Sequence, residues 1–446
     1  MTASDLGRTI FALASGSGRA AIAVIRVSGP KAREIVVDLA GQLPLPRTAS
    51  LRTLRNRGTG EAIDRGLVLW MPGPHSATGE DVAEFHVHGG AAVIASLCQA
   101  LAQHKDVRPA EAGEFTRRAF ANGRMDLLEA EGLADLLAAD TPLQRQLALG
   151  QMLGAASARY GEWRSRLLRA LAMVEAAIDF SEEGDVARSA LAGLEEEIAG
   201  LAREMEAALL DFSRAREIRS GISIVLAGPP NTGKSSLLNR LAEREAAIVS
   251  PRPGTTRDVI EVRIELGGMA VTVMDTAGLR ASSGDDIEDE GMARTRARAG
   301  IADLLVWVGA RDVKGSLAVE AGLAPDLVAL NKCDLAPEDE GAGVGENVIG
   351  VSARTGAGMA EFTALLAAIL FRRYQPAQAA VIVRERHFVA VSESIRMLND
   401  IRLEERPLEV AAESLRLAGQ ALGRVTGHID VESLLDAIFA EFCIGK

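Results

Sequence analysis

The sequence Gly228-Pro229-Pro230-Asn231-Thr232-Gly233-Lys234-Ser235-Ser236 fits G-x-x-x-x-G-K-[ST], the phosphate-binding loop of nucleoside triphosphatases. Before it, Ile222–Ala227 is a short apolar run typical of a buried parallel strand, and residues 237–242 have the pattern of a helix. A strand, a glycine-rich loop and a helix in this order direct backbone N–H groups and a helix N-terminus at phosphate. We expect the Lys234 ammonium to reach the β- and γ-phosphates and the Ser235 hydroxyl to bind Mg²⁺.

The composition is that of an ordinary globular chain, and its 446 residues allow two to four domains of about 150 residues each. Three scattered cysteines, at positions 98, 333 and 443, argue against a disulfide framework and predict a reducing, cytoplasmic location. The apolar run at residues 10–14 is too short for a signal peptide, and no run approaches the roughly 20 residues of a membrane span. The net charge of −12 argues against non-specific nucleic-acid binding but leaves room for a local basic patch.

Residues 1–118 have the pattern of a small α+β domain. Its predicted elements are strands at residues 21–27, 67–71 and 81–88 and helices after Pro30 and at residues 91–103. Residues 41–60 contain two prolines and several arginines, and they predict a loop or a loose hairpin.

From Asp126 to about Arg219, leucines recur at helical spacing and predict helices whose apolar faces form the core of a bundle. The pattern breaks at Asp140-Thr141-Pro142, where Thr141 can cap the next helix and Pro142 suits its first turn. Residues 220–373 alternate strand and helix, which is typical of a doubly wound sheet. The sequence therefore predicts a multidomain chain. Its α+β N-terminal domain precedes an all-α helical bundle in two parts, residues 119–219 and 374–446, with an inserted α/β P-loop GTPase (Ras-like) domain.

Two segments after the phosphate loop suit the binding of Mg²⁺ and the γ-phosphate. Asp275-Thr276-Ala277-Gly278 follows a strand-like run at residues 271–274, so the carboxylate can hold Mg²⁺ through water and the Gly278 N–H can reach the γ-phosphate. Pro253-Gly254-Thr255-Thr256-Arg257-Asp258 lies between the loop and that strand. A threonine hydroxyl there completes the Mg²⁺ shell only while the γ-phosphate is present, which makes the segment a switch.

A third pattern suits the recognition of guanine. Asn331-Lys332-Cys333-Asp334 follows a strand-like run, and the Asp334 carboxylate can accept hydrogen bonds from guanine N1–H and the 2-amino group. Adenine would leave that carboxylate unpaired, and mismatches of this kind reject a ligand strongly. We expect Asn331 and Lys332 to support the base and the phosphate loop, and the Cys333 thiol to take no part. The segment Val351-Ser352-Ala353-Arg354 fits a backbone contact to the guanine oxygen.

The sequence motifs identify the groups that promote GTP hydrolysis less directly than the groups that bind GTP. Leu279 follows the Asp-Thr-Ala-Gly motif at a position where many GTPases carry a glutamine that orients water. The acidic run at residues 285–290 can supply a carboxylate instead, or it can form a solvated loop. No arginine finger is evident. The Asn231 side chain can ligate a monovalent cation between the phosphates, or it can only brace the loop.

These motifs resemble the Era/Der/MnmE group of bacterial GTPases, and the flanking segments resemble the MnmE (TrmE) family of tRNA-modification GTPases. The flanking segments are Ile-Arg-Val-Ser-Gly-Pro at residues 25–30, Thr-Gly-Glu-Asp at 78–81, His-Gly-Gly at 88–90, Glu-Phe-Thr-Arg-Arg-Ala-Phe at 114–120 and the terminal Cys443-Ile444-Gly445-Lys446. The resemblance covers the whole chain.

The resemblance implies a homodimeric GTPase that potassium and dimerisation of the GTPase domains stimulate. With the flavoprotein MnmG, in a heterotetramer or larger complex, it would add an aminomethyl or carboxymethylaminomethyl group at carbon 5 of the tRNA wobble uridine. The one-carbon donor would be 5,10-methylenetetrahydrofolate or a 5-formyl analogue, bound by the N-terminal folate-binding and dimerisation domain.

Carried over by position, the resemblance assigns catalysis to Glu288, Lys234 and Asn231, with Glu288 orienting the attacking water. It assigns Mg²⁺ to Ser235 and Thr256, and K⁺ to Asn231, Ser250, Arg252 and Thr255. The full GTP site would comprise Asn231, Thr232, Gly233, Lys234, Ser235, Ser236, Ser250, Pro251, Arg252, Pro253, Gly254, Thr255, Thr256, Asp275, Thr276, Ala277, Gly278, Asn331, Lys332, Asp334, Ser352, Ala353 and Arg354.

The folate contacts implied by the resemblance are Arg26, Glu84, Arg124 and Lys446. Arg124 departs from the family pattern because it keeps the positive charge but changes its geometry. Arg252 also departs from that pattern, since a smaller apolar residue is common there. Cys443 can be a nucleophile or sulfur contact towards the one-carbon unit, or simply a small buried residue.

Two other functions are alternatives for a chain with these motifs. A GTP-switched ribosome-assembly factor like Der needs two GTPase domains, and one like Era needs a C-terminal RNA-binding domain. This chain has one phosphate loop and ends in a helical segment. A scaffold in which GTP only reorients the partner stays open, because the sequence does not say where the chemistry takes place.

Overall fold

The computed structural model describes residues 7–179, 191, 193–244, 261–275, 302–319, 322–335, 347–374, 380–427, 435, 438–440, 442 and 444–445. The chain divides into two compact units. The first contains Met1–Ala134, Gln151–Ala199 and Arg396–Lys446, and the second contains Asp135–Gly150 and Gly200–Ile395. The domain boundaries predicted at residues 118, 219 and 373 stay predictions.

A six-stranded sheet forms the centre of the first unit. Its strands are β1 (Thr9–Leu13), β2 (Ala20–Ser28), β3 (Ser50–Arg55), β4 (Ala62–Met71), β5 (Val82–Gly89) and β6 (Val107–Pro109). Their order across the sheet is β3-β4-β5-β2-β1-β6, and all neighbours are antiparallel except β1 and β6. Strands β2, β4 and β5 were predicted, whereas β3 lies inside the segment predicted as a loop or loose hairpin and pairs with β4.

Helices α1 (Ala32–Ala40) and α2 (Ala91–Ala102) cover one face of this sheet. Their apolar side chains, such as Ile35 and Leu97, are buried in one core with Ile25 and Phe85 from the central strands. On the opposite face of the sheet, a smaller cluster joins Ile10 and Ala12 to Ala110 and Phe115. The central strands therefore have a packed face and a face left largely for polar side chains.

Ten further helices follow among the described residues. They are α3 (Glu114–Ala121), α4 (Leu127–Ala138), α5 (Pro142–Met152), α6 (Ala155–Asp179), α7 (Leu194–Leu210), α8 (Phe212–Ser220), α9 (Lys234–Arg244), α10 (Met359–Tyr374), α11 (Glu385–Asn399) and α12 (Leu408–Thr426). Helix α5 begins at Pro142 as predicted. There the Thr141 N–H donates to Gln144 Oε1 at 3.2 Å and the Gln144 N–H to Thr141 Oγ1 at 3.4 Å, a reciprocal helix cap.

Within the first unit, α6 packs along α12, although more than 200 residues separate them in the chain. Trp163, Leu167 and Val174 of α6 are buried, as are Leu415 and Leu422 of α12. Helices from the two halves of the predicted helical segment thus pack together although the inserted residues separate them in the chain. Among the described residues, no helix is long and apolar enough to cross a membrane.

The second unit contains the other six-stranded sheet, made of β7 (Ile222–Ala227), β8 (Glu261–Leu266), β9 (Met269–Asp275), β10 (Leu304–Ala310), β11 (Leu327–Asn331) and β12 (Val348–Gly350). The order is β12-β11-β10-β7-β9-β8, and only β8 runs antiparallel to its neighbour. Helices α9 and α10 pack on one face, with Leu237 and Phe362 fully buried. The predicted fold class, with its α+β, helical and α/β P-loop parts, is confirmed.

Candidate functional site

The parallel strands of the second unit bring the predicted nucleotide motifs to one edge of its sheet. The phosphate loop connects the end of β7 to α9, whose first residue is Lys234. Asp275 ends β9 and Asn331 ends β11. Because parallel strands all finish on the same side, these groups share one crevice, where α/β folds bind ligands.

Backbone geometry explains the glycines of the phosphate loop. A Cβ atom at Gly228 would lie 2.2 Å from the Val308 carbonyl oxygen of β10. A Cβ atom at Gly233 would lie 2.4 Å from the Asn331 side-chain nitrogen. Both glycines have positive φ, and Asn231 between them also adopts a left-handed conformation with φ of +62°. The loop is thus curled tightly against its neighbours, in the kind of turn whose backbone N–H groups can surround a phosphate.

Two polar groups of the predicted Mg²⁺ and phosphate site lie in place beside this loop. The Lys234 ammonium donates to the Gly228 and Pro229 carbonyl oxygens at 2.9 and 2.8 Å, so it spans the mouth of the loop. The Ser235 hydroxyl donates to a carboxylate oxygen of Asp275, which is fully buried. A hydroxyl and a carboxylate that meet in this way are ligands of the kind that Mg²⁺ takes, directly or through water.

The predicted guanine motif is hydrogen-bonded directly to the phosphate loop. Asn331 is buried and donates to the Thr232 carbonyl oxygen at 2.8 Å. The Lys332 ammonium donates to the Asn231 carbonyl oxygen at 2.8 Å and pairs with Asp312 at 2.7 Å. Asp312 did not figure in the sequence prediction, because an aspartate soon after a strand carries no pattern of its own. The base segment and the loop therefore form one connected structure.

The residues expected to contact the base lie close together at the end of β11. The Ser352 hydroxyl donates to the Asp334 carboxylate at 2.6 Å, and this hydrogen bond holds the Asp334 pKa below its ordinary value. The carboxylate therefore stays an acceptor at neutral pH. Cys333 donates its backbone N–H to the Val351 carbonyl oxygen at 3.1 Å, which gives its backbone a role that does not need the thiol.

Several predicted residues lie outside the described part of the chain. They are Ser250, Pro251, Arg252, Pro253, Gly254, Thr255, Thr256, Thr276, Ala277, Gly278, Glu288, Cys443 and Lys446. The assignments of these residues stay predictions.

The first unit brings together Arg26 and Glu84, two of the residues expected to contact folate. They are directly opposite each other on β2 and β5, and Arg26 Nη2 lies 2.8 Å from Glu84 Oε1. The His86 ring, which was not predicted, lies 3.1 Å from Glu84 Oε2. Burial raises the pKa of the Glu84 carboxyl, but the hydrogen bond from His86 and the charge of Arg26 outweigh it, so the pKa lies below its ordinary value.

Helix α3 and the C-terminal tail border this pair. Arg26 Cζ lies 5.8 Å from the centre of the Phe115 ring of α3. Arg124, just after α3, is exposed beside Gly79, and among the described residues it forms no ion pair. Ile444 pairs with Ala112, and a Cβ atom at Gly445 would lie 2.2 Å from the Leu13 carbonyl oxygen at the end of β1. Since Ala12 is the partner of Arg26 in the sheet, the tail lies near that pair.

The comparison with protein families agrees with the fold. A family model described as GTP-binding protein TrmE N-terminus matches residues 9–124, and one described as MnmE helical domain matches residues 127–443. The chain belongs to the MnmE (TrmE) family.

Full-length relatives agree with this membership of the MnmE family. The tRNA modification GTPase MnmE of Rhodopseudomonas palustris (strain HaA2) is 48% identical over 98% of this chain and 99% of that protein. The protein of the same name from Parvibaculum lavamentivorans (strain DS-1 / DSM 13023 / NCIMB 13966) is 50% identical over 98% of this chain and its own full length. Among solved structures, the G domain of the T. maritima FeoB iron transporter is 25% identical over 33% of this chain and 98% of that chain, with a TM-score of 0.23.

Proposed function

We propose that this chain is a GTP hydrolase that acts in tRNA modification at the wobble uridine, in the cytoplasm. Its membership in the MnmE family supports the general activity, because the full-length relatives carry that description. The observation that carries the nucleotide part is the bond from Asn331 to Thr232. It joins a guanine-binding segment to a phosphate loop, and neither segment alone would select GTP.

In this proposal, Mg²⁺ is held by Ser235 and Thr256, with Asp275 acting through water. K⁺ is held by the Asn231 side chain and by Ser250, Arg252 and Thr255. A cation beside the phosphates would neutralise the charge that develops as the γ-phosphate leaves, the role that an arginine finger has elsewhere. The left-handed Asn231 supports this role, because Lys332 binds its carbonyl oxygen and so holds the backbone from which the side chain extends.

Hydrolysis also needs a group that orients water, and we assign it to Glu288. Leu279 stands where many GTPases carry a glutamine, and an aliphatic side chain offers no hydrogen bond. Another group is therefore required, the acidic run at residues 285–290 offers carboxylates, and the family resemblance singles out Glu288.

In the first unit, we propose a folate site formed by Arg26, Glu84, Arg124 and Lys446. The half-buried Arg26–Glu84 pair supports it, since paired charges that remain partly open can exchange partners with a polar ligand. The ligand would be 5,10-methylenetetrahydrofolate or a 5-formyl analogue as one-carbon donor. Cys443 remains a candidate nucleophile for the one-carbon unit.

The remaining parts of the proposal concern partners. The chain would act as a homodimer with the flavoprotein MnmG, in a heterotetramer or larger complex, on tRNA. The net charge of −12 supports a division of labour in which MnmG or a local arginine surface supplies most contacts with tRNA phosphates.

Nucleoside analysis of tRNA from a strain that lacks this chain tests the central proposal. We expect loss of the aminomethyl-type groups at the wobble uridine and their return when the chain is supplied again. An unchanged nucleoside profile would reject the proposal. The potassium part is tested separately by the GTPase rate in KCl against NaCl, where equal rates would rule out a potassium ligand.

A further inference from the structure

Arg118, in the middle of α3, is fully buried, which is unusual for an arginine. Its guanidinium donates to Glu80 Oε2 at 3.0 Å and to Glu114 Oε1 at 3.0 Å. Arg108 of β6 adds two further bonds to Glu114, at 2.7 and 2.8 Å. Two cations and two carboxylates thus form a charge-balanced network within the first unit.

The network ties α3 to the same strand that carries Arg26. The Ser28 hydroxyl donates to Glu80 Oε2 at 2.7 Å and lies 2.7 Å from the Thr78 hydroxyl. Ser28 comes two residues after Arg26 on β2, so both side chains lie on the same face of the sheet. On that face Ser28 meets the ion network, and Arg26 meets the Phe115 ring.

The C-terminal end of α3 is fixed against the loop at residues 78–80, which carries Thr78 and Glu80. Asn122 donates from its side chain to the Thr78 carbonyl oxygen at 2.7 Å. A Cβ atom at Gly79 would lie 2.8 Å from Asn122 Cβ and 3.3 Å from Arg124 Cγ, so loop and helix end are in close contact. Phe115 precedes Arg118 in the chain and Arg124 follows it. The position of α3 therefore determines where both side chains lie.

A buried ion network is a costly way to hold a helix, because apolar side chains of similar size often hold it as firmly. What hydrogen-bonded charges add is direction, since a planar guanidinium accepts its partners only in a narrow range of geometry. We propose that Arg118 and Glu80 are positioning residues that set the geometry of Arg26 and Arg124 in the first-unit site. This inference rests on the proposed folate function of that site.

The test is a double variant of the full chain, Glu80→Gln with Arg118→Met. It removes one charge of each sign and leaves Glu114 paired with Arg108, so neither of the two remaining charges of the network loses its last partner. The matched control, Glu175→Gln with Arg416→Met, removes an exposed ion pair of the same unit. Affinity for 5-formyltetrahydrofolate, melting temperature and GTPase rate are measured for each.

We expect the double variant to bind 5-formyltetrahydrofolate about 10-fold more weakly or worse. Tenfold corresponds to a loss of about 1.4 kcal/mol of binding free energy, which a small misalignment of Arg26 and Arg124 would cause. Its melting temperature and GTPase rate should stay near those of the wild type, and the control should match the wild type throughout. Wild-type affinity in the double variant would overturn the inference. A loss of affinity with an equal loss of folded protein would also overturn it, because a purely structural role predicts that result.

A crystal structure of the double variant separates this inference from the folate proposal. If the wild type does not bind 5-formyltetrahydrofolate, the folate proposal fails, and the distance from Arg26 Cζ to the Phe115 ring decides the inference. A change from 5.8 Å of about 1 Å or more would support positioning by the network. An unchanged distance would overturn it.

Discussion

The Asn331 side chain donates a 2.8 Å hydrogen bond to the Thr232 carbonyl oxygen, across 99 positions of the chain. Its Oδ1 atom accepts from the backbone N–H groups of Lys332 and Ala353, at 2.8 and 3.1 Å. One buried amide thus joins the phosphate loop, the segment after β11 and the segment after β12. Movements in any of these three should affect the other two.

Gly233→Ala should weaken GTP binding. The new Cβ would lie 2.4 Å from the same Asn331 amide, and φ at this position is +89°. Strain of this kind costs on the order of 1–3 kcal/mol, so we expect a loss of ~10-fold or more, measured with a fluorescent GTP analogue. Gly350→Ala is the matched control, since a Cβ there meets nothing within 4 Å. Equal affinity for both variants would contradict the described loop geometry.

Asp334→Asn should exchange GTP for xanthosine triphosphate as the preferred nucleotide. The amide oxygen would still accept from N1–H, but the amide N–H would face the 2-amino donor of guanine, while it complements the carbonyl that xanthine has in place of that group. We expect GTP affinity to fall by at least ~100-fold, as measured by competition between the two nucleotides. Cys333→Ser, which changes only a neighbouring thiol, should leave both affinities unchanged. Retained GTP preference in Asp334→Asn would remove this residue from the base site.

Glu84 should make the first unit less stable in acid. Its pKa lies below the ordinary value of 4.5 in the folded chain, so the ionised carboxylate stabilises the fold above that pH. This contribution is lost as the pH falls through the folded pKa. The melting-temperature difference between wild type and Glu84→Gln should therefore be full near about pH 7 and shrink below 4.5.

The control for this pH series is Glu61→Gln, at an exposed position of the same unit. It should melt like the wild type at every pH. A Glu84→Gln difference that stayed constant down to the lowest pH would mean that the Arg26 ion pair contributes nothing to folding.

Gly445→Ala should release the C-terminal tail from β1. The residue has φ of +104°, and an added Cβ would lie 2.2 Å from the Leu13 carbonyl oxygen, so the tail cannot keep its place. We expect carboxypeptidase to remove the terminal residues several-fold faster than in the wild type, as followed by mass spectrometry. Ile444→Ala, at a side chain that is 65% exposed, is the control. Equal digestion of both variants would mean that the tail is not held by this contact.

The nucleotide motifs and their strands were predictable because each motif residue follows a short apolar run. β7 was predicted at its observed bounds, and Asp275 and Asn331 end their strands as expected. Hydrophobic periodicity and turn residues are local sequence signals. They are therefore sufficient to identify a short strand and the functional loop that follows it.

Other features could not be predicted because they depend on distant parts of the chain. β1 and the three-residue β6 are too short to show an alternation of apolar and polar residues. They form because β1 pairs with β2 on one side and with β6 on the other. Arginine is a residue type that is usually exposed, and the burial of Arg118 depends on ion pairs that include Glu80, which lies 38 positions earlier in the chain. The position of Gly445 likewise depends on its contact with Leu13 of β1, more than 400 positions earlier in the chain.

The bridge between Ala112 and Ile444 has a consequence for how the chain is made. The second unit consists of residues up to 395, so its sheet can close while the remaining residues are still on the ribosome. The first unit also uses Phe439, whose carbonyl would lie 2.4 Å from a Cβ at Gly113, and the bridge at Ile444. These contacts can form only after residues 439–445 have been made, so a prematurely terminated chain would carry all residues of the second unit and a first unit without these contacts.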